Sequence, residues 1–244
     1  MSGRLYLKYR VRQAMKDSRR AIPLLILLAM LVGVGATVLS FVGGQGWIER
    51  YLASKEKDKR LQAIAAAELI GGETAADLLA PYATDVDTDI AMRVLDVLGR
   101  VRTQRHRKRL TDAMTSDDPR MRAAGVNAAS WYGPESPEMK VIADRLGVDA
   151  HAEVRCAAAK ALGRQHAWWA MPELIAAMRS DDGRLRAHAA EAVFVMTGTR
   201  FPFRPNDEPD KREAVVKRIE TLYKEGQADA AHKTYLAQKE MNKR

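Results

Sequence analysis

The stretch VRCAAAKALGR, residues 154–164, decides the fold. Count Val154 as position zero. Positions four, five and eight are then Ala158, Ala159 and Leu162. With Val154 they lie on one side of a helix that turns every 3.6 residues. Alanine is the strongest helix former and also the smallest side chain that packs. A stripe built from it lets one helix lie close against another. Such a stripe cannot be buried within its own helix, so it requires neighbours.

The chain supplies them. The pattern of an aliphatic residue leading an Ala-rich helix occurs four more times. The copies are LQAIAAAELIGG from Leu61, IAMRVLDVLGR from Ile90, MRAAGVNAASWYG from Met121 and LRAHAAEAVFV from Leu185. Counting in the same way predicts buried sets of Ala65, Ala66, Leu69; Val94, Leu95, Leu98; Gly125, Val126, Ala129; and Ala189, Ala190, Val193. After the first four copies comes a break and a second apolar-periodic segment: TAADLLAPY, HRKRLTDAM, PEMKVIADRL and AMPELIAAM. Acidic turns at Asp117-Asp118-Pro119 and Asp181-Asp182-Gly183 are placed to cap the helices that follow. Units repeated about every thirty residues, each unable to bury its own face, stack as a solenoid.

These copies resemble the HEAT-repeat family, in its short, phycobilisome-lyase-type form. Val154-Arg155, Ala158-Ala159 and Ala161-Leu162-Gly163 carry the resemblance, and Met121-Arg122 and Leu185-Arg186 repeat its opening. Leu61-Gln62 and Ile90-Ala91 lack the arginine. The resemblance implies an α-solenoid that binds other proteins. It also implies that the Ala-rich helix lines the concave face. Positions three, six and ten, opposite the buried stripe, would then face a partner. They include Arg93, Asp96, Arg100, Asn127, Trp131, Lys160, Arg164, His188 and Glu191. Both signs of charge with one large aromatic suit a protein surface better than a phosphate backbone. Trp168 and Trp169, in the break of the fourth repeat, are candidates for an exposed anchor. Arg122, Arg155 and Arg186 recur at one repeat position and are expected to pair with nearby acids such as Asp118, Glu153 and Asp182.

Ahead of the repeats lies a different texture. Residues 21 to 48 hold no charge, and the apolar part, 21 to 42, is 22 residues long. At ~1.5 Å per residue that is roughly 33 Å of helix, enough for a bilayer core of ~30 Å. It exceeds the apolar core of a signal peptide, so a retained anchor is expected. Ala29, Gly33 and Thr37 recur every four residues and offer a face for packing against another membrane helix. Gly43, Gly44 and Gly46 are expected to end the span, with Trp47 at the membrane interface. Residues 1–20 carry seven basic residues and one acid, so most of the net charge of +9 sits beside this segment. That is a topogenic, headgroup-facing charge rather than a nucleic-acid signal. A cytoplasmic N-terminus and a periplasmic or other extracytoplasmic repeat domain follow from it.

The expected organisation is all-α. A basic tail occupies 1–20, a single transmembrane helix 21–44 and a linker 45–54. An α-solenoid of about five HEAT-like helix pairs occupies 55–203, and a helical cap and tail 204–244. In the cap, Val215, Val216, Ile219, Leu222 and Tyr223 share one face of a helix starting near Lys211.

Catalytic chemistry has no signature here. The five histidines, His106, His151, His166, His188 and His232, form no HExxH, and none is followed directly by Glu. The paired His-Glu steps of iron-holding HEAT-like hydroxylases are therefore missing. There is no Gly-rich phosphate loop and no GxSxG elbow. The single cysteine, Cys156, lies in an Ala-rich helix and suits packing. No cofactor, no metal and no enzyme activity are expected. The expected function is that of a membrane-anchored scaffold or accessory subunit, with protein partners, the lipid bilayer and no nucleic acid. The resemblance allows two alternatives, a lyase or maturation chaperone for tetrapyrrole proteins, and HEAT-type DNA binding, against which the anchor and the near-neutral repeat domain argue.

Overall fold

A computed structural model of the protein describes residues 44–226 and Lys233. The predicted tail 1–20, most of the membrane span with Ala29, Gly33 and Thr37, His232 and the C-terminal residues 227–244 other than Lys233 lie outside the described residues. No helix among the described residues is long and apolar enough to cross a membrane. The chain divides into two compact units, Met1–Ser54 and Lys55–Arg244.

In the first unit, helix α1 spans Gly44–Leu52. Gly46, expected to break a helix, lies inside α1, and most of the segment expected as a linker, 45–54, is helical. Trp47, Ile48, Tyr51 and Leu52 recur at helical spacing, which gives the segment an apolar face. The rings of Trp47 and Tyr51, one turn apart, lie 4.5 Å between centroids. Arg50 Nε donates back to the carbonyl of Gly46 at 3.1 Å.

The second unit is helical throughout its described residues. Its helices are α2 (Lys57–Ile70), α3 (Gly72–Leu79), α4 (Thr88–Val101), α5 (Arg107–Met114), α6 (Pro119–Ala129), α7 (Pro137–Val148), α8 (Ala152–Arg164), α9 (Met171–Ala177), α10 (Gly183–Thr197) and α11 (Pro209–Lys224). Short 3-10 turns at Ala80–Thr84, Gln104–His106, Ser130–Tyr132 and Trp168–Ala170 join them. The Ala-rich helices α2, α4, α6, α8 and α10 pack one after another in a layer. Helices α5, α7, α9 and α11 make a second layer in the same order. Each Ala-rich helix from α4 on packs mainly with the segment that precedes it: α4 with α3 and its 3-10 turn, α6 with α5, α8 with α7, α10 with α9. The apolar segment that follows an Ala-rich helix along the chain therefore belongs with the next Ala-rich helix. Asp118 and Asp182 start α6 and α10 by accepting from amides of the first turn, as the acidic turns predict, and Asp87 starts α4 in the same way.

Alanine and glycine set the spacing within the Ala-rich layer. A Cβ on Gly99 of α4 would stand 2.7 Å from the Cα of Ala128 in α6. A Cβ on Gly163 of α8 would stand 2.7 Å from the Cα of Ala192 in α10. Only a hydrogen fits at either contact. The predicted buried stripe is observed in α4, α6 and α8, and in α10 with Ala190 half-buried.

The first copy departs from the prediction. Ala65 is exposed, Ala66 half-buried and Leu69 90% exposed, while Ala63, Ile64 and Ala67 are buried. The reason is Arg60. Its Nη1 donates to both carboxylate oxygens of Asp85, at 2.5 and 2.7 Å. Arg122 makes the equivalent pair with Asp149 two repeats later. The first copy therefore begins at Lys59, and positions four, five and eight become Ala63, Ile64 and Ala67. It has its arginine after all.

Candidate functional site

The Arg positions are structural ties, not a line of intra-turn acid pairs. Arg122 Nε donates to Asp149 Oδ2 at 2.7 Å and Nη2 to Asp149 Oδ1 at 3.0 Å, so its acid belongs to the next repeat rather than being Asp118. Its Nη1 also donates to the carbonyls of Ser116 and Asp117. Arg155 donates to the carbonyls of Asp149 and Ala150, and Arg186 to those of Ser180, Asp181 and Pro205. The expected pairing of these two with Glu153 and Asp182 is thereby replaced by backbone carbonyls. The guanidinium fork reaches the loop that the N-terminal turn of its own helix leaves behind, and fills its carbonyl acceptors. Burial opposes the charged Asp149 carboxylate, but Arg122 and the amide of His151 outweigh it and hold its pKa below the ordinary range.

The outer face of the Ala-rich layer is where the predicted partner-facing residues meet. Arg93 and Arg100 of α4 both reach Glu68 of α2, through Nη2 at 2.8 and 2.5 Å. Arg100 also lies 3.1 Å from Asp96. The α2/α4 end of the face is thus a closed network of two cations and two anions. Glu68 escaped the sequence reading because positions three, six and ten miss it, whether the first copy is counted from Leu61 or from Lys59. Counted from Lys59, it stands at position nine, the place held by Gly99 in the next copy.

Further along the layer, Asn127 is exposed and Trp131 is 44% exposed. Arg164 Nη2 donates to Ser130 Oγ at 3.1 Å, and this hydroxyl in turn donates to the carbonyl of Asn127 at 2.7 Å. Between α8 and α10, Lys160, Arg164, His188 and Glu191 surround a shallow groove of about 170 Å³ floored by Gly163, Ala192 and Val195. Burial, and then the charges of Lys160 and Arg184, lower the pKa of His188 and favour its neutral form. Lys160 and Arg164 have no carboxylate within ion-pair distance among the described residues. A second hollow of about 230 Å³ lies where the Pro-rich segment after α10 returns, with Phe194, Phe201 and Phe203 in its wall. Arg200 sits 4.3 Å above the Phe194 ring.

Trp168 and Trp169 are not the exposed anchors that their place in a break suggests. Both are half-buried. Trp169 Nε1 donates to the carbonyl of Pro134 at 3.1 Å, tying the fourth repeat to the third. The Trp168 ring lies 6.3 Å from Tyr223 of α11. Helix α11 buries Val216 and Ile219, and leaves Val215, Leu222 and Tyr223 half-buried. Its Glu213 and Glu220 both accept from Arg179 after α9. The exposed tryptophan of the layer is Trp131.

His106 Nε2 lies 2.7 Å from Asp77, which Arg105 also reaches. No group of three or more His, Cys, Asp or Glu among the described residues is placed to hold a metal ion. Cys156 is buried, and burial pushes its thiol pKa up, away from the reactive thiolate.

Comparison with curated proteins finds no match to this chain. Residues 44–130 match the HEAT-repeat family model, and the helical stack just described is consistent with that family, whose repeats generally mediate protein–protein interaction.

Proposed function

We propose that the chain is a membrane-anchored scaffold or accessory subunit that binds partner proteins within a larger membrane complex, without catalysis of its own. The observation that carries this reading is the outer face of the Ala-rich layer. Five adjacent helices present side chains of both signs, a 44% exposed tryptophan and a groove with an apolar floor. Interfaces favour such aromatic anchors inside a polar rim. The uncharged segment 21–42, flanked by the basic residues 1–20, supports a single-pass anchor with the N-terminus on the cytoplasmic side. The Ala29-Gly33-Thr37 spacing supports a second contact inside the bilayer.

Chemical crosslinking in intact membranes, followed by mass-spectrometric identification of neighbours, tests the scaffold. Crosslinks from the Ala-rich layer to other membrane-complex subunits are expected. Native mass measurement after detergent extraction is the counterpart. A lone monomer that carries no other protein, together with no crosslinked neighbour, would refute the proposal.

A further inference from the structure

The charges of the Ala-rich layer are balanced at one end and unbalanced at the other. At positions six and ten, α4 carries Asp96 and Arg100, an opposite pair one helical turn apart, and both its arginines are held by acids. At the same positions, α8 carries Lys160 and Arg164. Like charges one turn apart repel, and destabilise an isolated helix by roughly 0.2–0.5 kcal/mol. The neighbouring helices offer little relief. On the α6 side, Arg164 finds only the hydroxyl of Ser130. On the α10 side stand His188, held towards its neutral form, and Glu191, which is not within ion-pair distance of either cation. Between the two helices runs the groove. Its floor is Gly163, Ala192 and Val195, and Val195 is 38% exposed. Gly163 lets α10 close onto α8 beneath the groove, because a Cβ there would clash with Ala192.

We propose that the α8/α10 groove docks an acidic segment of a partner protein, whose carboxylates meet Lys160 and Arg164 while an aliphatic side chain between them rests on Gly163, Ala192 and Val195. The inference rests on the scaffold reading and names the chemistry of its partner. Charge complementarity selects the occupant. A basic segment would be repelled by Lys160 and Arg164. A nucleic-acid backbone has no apolar group for the floor of Gly163, Ala192 and Val195. A carboxylate pair accepts from the ammonium and the guanidinium fork at once, which neither cation obtains within the described fold.

The test uses the purified full chain and three short fluorescein-labelled peptides, read by fluorescence anisotropy at low salt. The first is a run of glutamates around a central leucine, the second has serine for the leucine, and the third has lysines for the glutamates. The first is expected to bind. Loss of the leucine weakens it about tenfold, the scale of one small apolar contact. The lysine peptide does not bind. The double variant Lys160→Glu with Arg164→Glu reduces affinity for the first peptide by about tenfold or more, and raises it for the lysine peptide. Both side chains are exposed, so the helical circular dichroism of the variant stays unchanged. Lys140→Glu, on the other layer, leaves affinity unaltered. Equal binding of the acidic and basic peptides, or indifference to the double variant, overturns the proposal. A photo-crosslinker at Asn127, used in intact membranes, separates the two readings. Neighbours captured there in the parent protein and equally in the double variant would leave the scaffold standing and remove the acidic groove. No capture from Asn127, with no binding of the glutamate peptide, would remove both.

Discussion

Replacing Asp149 by alanine is expected to be among the most damaging single changes on a polar residue of this protein. The carboxylate sits in the turn before α8 with its side chain 1% exposed, and that of Arg122 is 11% exposed. Asp149 accepts twice from Arg122 and once, at 2.9 Å, from the amide of His151. Its removal leaves a guanidinium buried without its counter-charge and an amide without its acceptor. Breaking one side of a buried pair costs about 3–5 kcal/mol. Arg122 keeps two carbonyl acceptors through Nη1, at 2.8 and 2.9 Å, which places the expected loss near the lower end, about 3 kcal/mol. The measurement is chemical denaturation of the full chain followed by helix circular dichroism. The double variant Asp149→Ala with Arg122→Met removes both charges together. It should cost less than the sum of the single changes, by about 1–3 kcal/mol. A loss below about 1 kcal/mol for Asp149→Ala, with additive behaviour in the double variant, would refute the view that this pair locks α6 to the start of α8.

Acid should act on the same ties. The pKa values of Asp149 and of Glu138, which Arg107 holds, are both depressed in the folded state. Their contribution is therefore present above the ordinary carboxylate range and lost as pH falls through the folded values. A stability profile flat in these groups from neutral pH down to about 4 and falling below it is expected, with a shallower fall in Asp149→Asn. Gly163→Ala should destabilise by about 1–3 kcal/mol, because its Cβ would meet Ala192. Gly147→Ala, in α7 with open space around it, should instead be neutral or stabilise by up to about 1 kcal/mol, so thermal melts of the two glycine variants should diverge. Asp182→Ala removes the acceptor for the amides of Arg184 and Leu185 and should cost about 1 kcal/mol in the same melts, while Asp181→Ala, which caps nothing, should cost far less.

The repeat, the helical class and most of the buried stripe were legible in the order of residues alone. A 3.6-residue period in small and aliphatic residues is local information, and it leaves no other way to bury Val94, Leu98, Val126 or Leu162. The aspartates at 118 and 182 marked their helix starts for the same reason, since a cap acts within three residues. The rest acts between different helices, beyond the reach of a single turn. It took the Arg60–Asp85 pair to show that the first copy starts at Lys59, because a run of alanines and leucines looks alike in neighbouring registers. It took the packing of α5 on α6 and α7 on α8 to show which helices form pairs, since the pattern along the chain alternates and reads equally well from either member. Trp168 and Trp169 stood in a break, where a side chain is as free to turn inward as outward, and Tyr223 and Pro134 settled the matter. The residues expected to face a partner, from Arg93 to Glu191, all lie outside the buried stripe. Which of their charges are answered within the chain, as Arg93 and Arg100 are at Glu68, and which have no carboxylate within ion-pair distance among the described residues, as with Lys160 and Arg164, depends on the helix next door, and so belongs to the fold alone.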